Sequence, residues 1–375
     1  MDWLRLQSMI RKEFRQMGRN PVLLRVLLIA PIFQLIMFGY AATTDVEHVP
    51  VVICDQSNSR ESRAITGAIG ASRFFNLIGF VEDYRDLKTV LDAGDAQLAL
   101  HIPVDFDRRL RRNEAASVGL YIDGTDAITA NTAASYMVGM LQSFGREVAL
   151  QRMTRAGMAG GVPGVEMVPR VWYNPDLRSA NFMVPGVFGL IIMMITAVWT
   201  SQSIVKEREL GTLEQLLVTP VRPIELLVGK SFPYAVTALV AAAEIILLSR
   251  WWFRVPLEGS VALLFGVAAV FIVANLGMGM LISTVSRTQQ QALLAAFFFM
   301  MPAVLLSGFM FPIANMPWII QQVTWLIPYR YFLEVCRGIF LRGVGLEVLW
   351  PQTVALVVFA IVLFSLGARS FNKRL

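Results

Sequence analysis

The chain has 375 residues, 55% of them hydrophobic and only 16% charged, with 24 Phe and 18 Met. A soluble domain carries about 25% charged residues, so an ordinary globular composition is excluded and an outsized core or a membrane protein remains. The formal charge of +6 does not indicate nucleic acid, because no basic stripe with interleaved aromatics accompanies it. Lys and Arg cluster instead at the ends of apolar runs, where membrane topology uses them. Cys54 and Cys336 lie far apart, and His48 and His101 are isolated. No disulfide framework, metal site or cofactor is expected from them.

Residues 1–21 are polar and basic, with Arg5, Arg11, Lys12, Arg15 and Arg19 set against Asp2 and Glu13. They read as an amphipathic segment on the cytoplasmic side. The apolar run at 22–42 follows. Its core is longer than the ~7–15 residues of a cleavable signal peptide, so it is expected to be retained as the first span. Residues 43–180 change character. Strand candidates at 49–54, 77–81, 97–102 and 117–122 alternate with helix-like stretches, and a long helix is expected over 125–153. Strands alternating with helices predict an α/β domain. With the amino terminus inside, that domain is extracytoplasmic.

Further spans are expected at 182–205, 226–249, 261–285, 291–311 and 354–366, six in all with the first. The first four reach the ~20 apolar residues needed to cross ~30 Å of hydrocarbon as helix, and the last is the short one. The inner ends carry the basic lead, Lys206, Arg208, Arg222, Lys230, Arg287 and the tail at 369–375; the outer loops carry Arg250, Arg254, Arg330, Arg337 and Arg342. The excess favours six spans with both termini cytoplasmic. Between the fifth and sixth, residues 313–345 hold two apolar stretches about Pro328, each too short to cross. A re-entrant or interfacial hairpin outside is expected there. The fold class is thus an α-helical polytopic membrane protein with an inserted extracytoplasmic α/β domain, its five later helices occupying 181–368.

The segment 206–220 follows a span directly and ends at Pro220. Leu210, Leu213, Leu216 and Leu217 share a helical face, while Glu207, Arg208, Glu214 and Gln215 occupy others. Such a helix can lie along the membrane surface and present charge to a partner. Gly229-Lys230-Ser231 imitates the end of a phosphate-binding loop, but Ile224 stands where that motif needs glycine, and a span follows rather than precedes it. The chain carries no nucleotide-binding loop of its own. Gln34, Glu244 and Asn275 lie inside spans. An intramembrane carboxylate is costly unless paired or wet, so Glu244 is either an interfacial group near Arg250 or part of a substrate or proton path. Gln34 and Asn275 suit interhelical hydrogen bonds. Gly277-Met278-Gly279 suits close helix packing.

Glu207-Arg208-Glu209-Leu210-Gly211-Thr212-Leu213-Glu214-Gln215-Leu216 resembles the Glu-Arg-Glu-x-Gly-Thr-x-Glu-x-Leu segment of ABC-2 type exporter permeases, those with a large extracytoplasmic domain after the first span. Trp172-Tyr173-Asn174-Pro175, Val184-Pro185-Gly186, Leu306-Ser307-Gly308, Phe311-Pro312, Met316-Pro317 and Pro328 also match. The resemblance implies a transport subunit of the bacterial inner membrane rather than an enzyme. It implies a separate ATPase, coupled through Glu207, Arg208, Glu209, Gly211, Thr212, Glu214 and Gln215. It also implies a second permease, identical or related, and outward movement of a drug-like, lipid or other amphipathic substrate. Membrane lipid is a further partner, and the external domain suggests an extracytoplasmic adaptor. An ion-driven transporter and a membrane sensor remain the alternatives.

Overall fold

The computed structural model describes residues 3–41, 48–112, 114–125, 127–155, 173–174, 178–211 and 223–372. The chain divides into two units, Met1–Thr43 with Arg170–Leu375, and Thr44–Pro169. The first opens with helix α1, Trp3–Gly18, whose Leu6, Met9, Glu13 and Met17 recur every three or four residues and are buried. Helix α2, Pro21–Ala41, starts sharply. Pro21 suits a first helical position, and Asn20 Oδ1 accepts from the Leu23 amide at 3.1 Å.

The second unit is built on four strands: β1 Val49–Asp55, β2 Phe75–Phe80, β3 Leu98–Ile102 and β4 Gly119–Ile122. Their order is β2-β1-β3-β4, parallel except for the antiparallel pairing of β4 with β3. Parallel neighbours need crossovers, here α3 (Arg60–Gly70) and α4 (Tyr84–Asp92); α5 (Phe106–Arg111) and α6 (Ala127–Arg155) follow later. The central strand β1 is apolar on both faces, as helix-covered parallel strands are. Val51 and Ile53 pack with Ile65, Ile69, Phe106 and Met137 on one side. Val52 and Cys54 pack with Leu87 and Ala99 on the other.

The first unit resumes with α7 (Ser179–Met193), a π-helical turn at Met194–Val198 and α8 (Trp199–Glu209). Then come α9 (Pro223–Trp251), α10 (Val261–Val285) and α11 (Gln289–Leu306), with α12 (Trp318–Thr324), α13 (Pro328–Arg337), a second π turn at Gly338–Arg342, and α14 (Leu346–Asn372). Among the described residues, six helices are long and apolar enough to cross a membrane: α2, α7 continued through α8, α9, α10, α11 and α14. The α7–α8 helix is 78% buried over its most apolar window and α11 only 17%, so the former is central and the latter faces outward. Gly277 permits backbone-to-backbone approach of α10 and α14, since a Cβ there would lie 2.4 Å from the Phe364 nitrogen. Helices α12 and α13, with 7 and 10 residues, are too short to cross. Helix α13 is tied inward by stacked rings, Phe332 on Phe271 at 4.2 Å, and by the Tyr329 hydroxyl, which donates to the Gly186 carbonyl at 2.6 Å.

Four expectations need correction. The last span is not confined to 354–366 but runs through Leu346–Asn372. Polar Gln352 and Thr353 do not end it, because Gln352 donates to Glu334 at 3.2 Å and Thr353 to the Leu349 carbonyl at 2.8 Å. The fifth stops at Leu306 rather than 311, where Gly308 takes φ +84°. The domain boundary lies between 169 and 170, not at 180. Asn174 brackets the start of α7, accepting from the Arg178 amide at 3.1 Å and from the Asn181 side chain at 2.7 Å. Finally, the helix expected from 206 stops early, and residues 212–220 lie outside the described residues. The helix ends at Glu209, and Gly211 turns left-handed at φ +68°.

Candidate functional site

Of the sequence-selected cluster, Glu207, Arg208, Glu209 and Gly211 are described, whereas Thr212, Glu214 and Gln215 lie outside the described residues. Glu207 was expected to face a partner; it is turned inward and buried. Its Oε1 is 2.8 Å from Lys230 Nζ, which also donates to Glu13 Oε1 at 3.2 Å. Lys12 reaches the same two carboxylates at 3.7 and 3.5 Å. Two carboxylates and two ammonium groups thus form a cluster joining α1, α8 and α9. Burying a charge is expensive unless it is paired, and Lys230, at 1% exposure, is paired twice.

The next two residues fasten other helices. Arg208 Nη1 donates to the carbonyls of Ser283 and Ser286 at 3.2 and 2.9 Å, placing a cation at the carboxyl end of α10. Glu209 accepts from the Gln289 amide at 3.1 Å and from its side chain at 2.5 Å, placing an anion at the amino end of α11. Both charges complement the helix dipoles they meet. Three consecutive side chains therefore bind α8 to α1, α9, α10 and α11 within one turn.

Sequence reasoning gave Lys12, Glu13, Gly229 and Lys230 no place in the site. Gly229-Lys230-Ser231 is where α1 docks on α9. A Cβ on Gly229 would lie 2.6 Å from Met9 Cγ, so glycine lets α1 settle, and Lys230 then meets Glu13 one turn beyond Met9. Two signals were present: a lysine set into an apolar run, and a lone acid between Arg11–Lys12 and Arg15 in the basic lead. Beside the cluster lies a polar cleft of about 140 Å³ with Gln16, Asn20, Trp199, Lys206 and Tyr234 in its walls.

The intramembrane polar residues are not brought together. Gln34 on α2 donates to the Met194 thioether at 3.2 Å, at the π turn. Asn275 donates to the Phe271 carbonyl at 2.8 Å and is buried. It borders an apolar cavity of about 380 Å³ walled by Met193, Met278, Phe298, Pro302 and Tyr329. That size and lining suit a small apolar or amphipathic molecule. Glu244 is half-buried on α9, and its Oε2 has no hydrogen-bond partner among the described residues. No ion pair joins it to Arg250 among those residues.

The model of the family described as "ABC-2 family transporter protein" matches residues 22–369. The chain is 31% identical over 370 residues to the "Probable multidrug ABC transporter permease YbhR" of Escherichia coli (strain K12), covering 99% of each chain. It is 32% identical over 382 residues to "Probable multidrug ABC transporter permease YbhS" of the same organism, covering 100% of this chain and 98% of the other. It is 26% identical to "Inner membrane transport permease YhhJ" over 367 residues, covering 96% and 95%. Six helices able to span a membrane, an inserted α/β unit and a family match over nearly the whole length place this chain among the permeases of the ABC-2 transporter family.

Proposed function

We propose that the chain is the membrane subunit of an ATP-driven exporter, taking its energy from a separate ATPase through the segment that begins at Glu207. The observation that carries this is the fastening of Glu207, Arg208 and Glu209 to four helices at once. A push delivered to the chain beyond Gly211 is not absorbed by a loose loop; it passes directly into α1, α9, α10 and α11. Closely packed helices respond to such a push by switching between discrete packings rather than bending continuously. Thr212, Glu214 and Gln215 supply the ATPase-facing surface, and Glu207 is a positioning residue that anchors it. A second permease copy or a relative completes the pathway. The amphipathic class of cargo is supported by the apolar cavity beside Asn275 and by the multidrug description of the relatives. The amino terminus and residues 206–222 face the cytoplasm of a bacterial inner membrane, and the α/β unit lies outside, where it meets an adaptor or caps the exit.

The test is co-purification in mild detergent from the native membrane. An ATPase is expected to co-elute with the chain and to be lost when 212–217 is replaced by a neutral linker, with membrane insertion unchanged. An intact chain that never retains an ATPase would sink the reading. It would then favour the ion-driven alternative, for which the unpartnered Glu244 oxygen is the supporting observation.

A further inference from the structure

Helix α1 has three faces. Leu6, Met9, Glu13 and Met17 are buried and pack it on α9. At about 100° per residue, Trp3, Ile10 and Phe14 fall to one side of that face. Trp3 is 73% exposed, and Phe14 sets its ring edge-on to Phe232 of α9, itself 42% exposed, at 6.3 Å between centroids. On the other side Arg11, Lys12, Arg15 and Arg19 are all exposed, and with Ser8 and Gln16 they line an open basin of about 640 Å³. The acid described on this helix, Glu13, is buried and already paired. The helix ends where α2, a spanning helix, begins.

An aromatic ridge and a basic basin side by side on one helix, at the end of a span, match the boundary between acyl chains and phosphate headgroups. An acidic protein surface would satisfy the basin but leave Trp3, Phe14 and Phe232 in water. A lipid satisfies both at once. We infer that α1 carries a binding site for anionic phospholipid, with the headgroup phosphate held by Arg11, Lys12, Arg15 and Arg19 and the acyl chains against the ridge. Lys12 belongs to this basin and also to the buried cluster, 3.5 Å from Glu13 and 3.7 Å from Glu207. A bound phosphate draws Lys12 outward and leaves Lys230 alone to hold both carboxylates. Lipid charge thereby tunes the anchor of the coupling segment. This last consequence rests on the function proposed above, whereas the lipid site stands without it.

The experiment titrates the intact, purified chain with phosphatidylglycerol, with phosphatidylcholine and with inorganic phosphate, counting bound lipid by native mass spectrometry. No ATPase is needed, so failure here is distinct from failure of the exporter reading. Phosphatidylglycerol is expected to bind at least about tenfold tighter than phosphatidylcholine. The triple variant Arg11→Gln/Arg15→Gln/Arg19→Gln is expected to lose at least about tenfold of that affinity, each arginine near an anionic surface contributing up to roughly fivefold. The three positions are exposed, so the fold is retained; Arg250→Gln/Arg254→Gln, exposed bases elsewhere in the unit, serves as control. Equal loss in the control, or none in the triple variant, overturns the site. Displacement of the lipid by millimolar inorganic phosphate makes it a free-phosphate site and overturns the lipid assignment. Unchanged lipid binding with loss of a co-purifying ATPase identifies a protein-docking face and overturns it too. For the tuning, ATP turnover of the assembled transporter should depend on phosphatidylglycerol content, and less so in Lys12→Gln. Turnover indifferent to phosphatidylglycerol removes that half alone.

Discussion

Among the described residues, both units of this chain hold local ion pairs, Arg330 with Glu334 in the helical one, but only the helical unit adds a buried, long-range cluster. In the α/β unit the ion pairs seen among the described residues are local, Arg109 with Asp105 at 2.5 Å and Arg111 with Asp107 at 2.7 Å, each four residues apart in sequence with a solvent-facing arginine. In the helical unit the central pair joins Lys230 to Glu13, 217 residues away, with both side chains buried. An exposed pair gives back in screening and lost side-chain freedom much of what it gains. A buried one costs far more to break than it contributed in forming, because the survivor is stranded without water. The local pairs decorate a fold that strand packing already holds, while the distant pair decides how three helices meet.

The largest expected effect follows from taking the buried cation away from the two carboxylates and leaving them to the half-exposed Lys12. Lys230→Met should destabilise the helical unit by about 3–5 kcal/mol, read as thermal unfolding in detergent. The exchange Lys230→Glu with Glu207→Lys should recover part of the loss, and an indifferent Lys230→Met would abolish the contrast between the units. A smaller loss is expected from Gly229→Val. Its side chain collides with Met9 and must lift α1, at about 1–3 kcal/mol for overpacking, read in the same unfolding assay together with increased protease cleavage of α1. The α/β unit should respond more weakly. Burial first, then the carboxylates of Asp83, Asp55 and Asp86, push the Cys54 thiol above its ordinary value. A raised folded value means that its contribution to stability is complete below the unfolded pKa of about 8.5 and is lost as pH rises through the folded one. Alkylation of Cys54 at pH 8, followed by peptide mapping, should therefore be at least about tenfold slower than in the unfolded chain. The smallest effect belongs to the exposed pair. The hydrogen bond from Arg109, first among its causes, holds the Asp105 carboxyl below its ordinary value. Its contribution is present above the unfolded pKa and lost as pH falls through the folded one, but screening by solvent keeps it small at this exposed site, so Arg109→Ala should leave unfolding at pH 7 within error of the parent.

The α/β unit was legible because its signals are short-range. The β-branched run at 49–54 became β1, and strand–helix alternation became crossovers; the strand order, the antiparallel β4 and the far boundary had to await the structure, since alternation does not say which strand takes the centre. Within the site, Glu207, Arg208, Glu209 and Gly211 stood out through their resemblance to a known segment, yet the direction in which each side chain points did not. Glu207 faces the cluster because α1 and α9 bring Lys12 and Lys230 to it. Lys230 itself counted as one more basic residue near an inner loop and as part of an imitation phosphate-binding loop, since its position seven residues into α9 says nothing of the acid that meets it.

Hydropathy alone determined the six long helices, because a backbone in hydrocarbon must satisfy its hydrogen bonds within its own segment and so declares itself locally. Composition alone set apart an aqueous domain of mixed strands and helices. What only the tertiary structure decided is the set of meetings between segments: Lys230 with Glu13 and Glu207, Arg208 with the end of α10, Glu209 with the start of α11 and Met9 against Gly229. The reason is physical. Ion pairing and close packing depend on distance in space, and a chain's spacing along its sequence fixes that distance only within a single helix or strand.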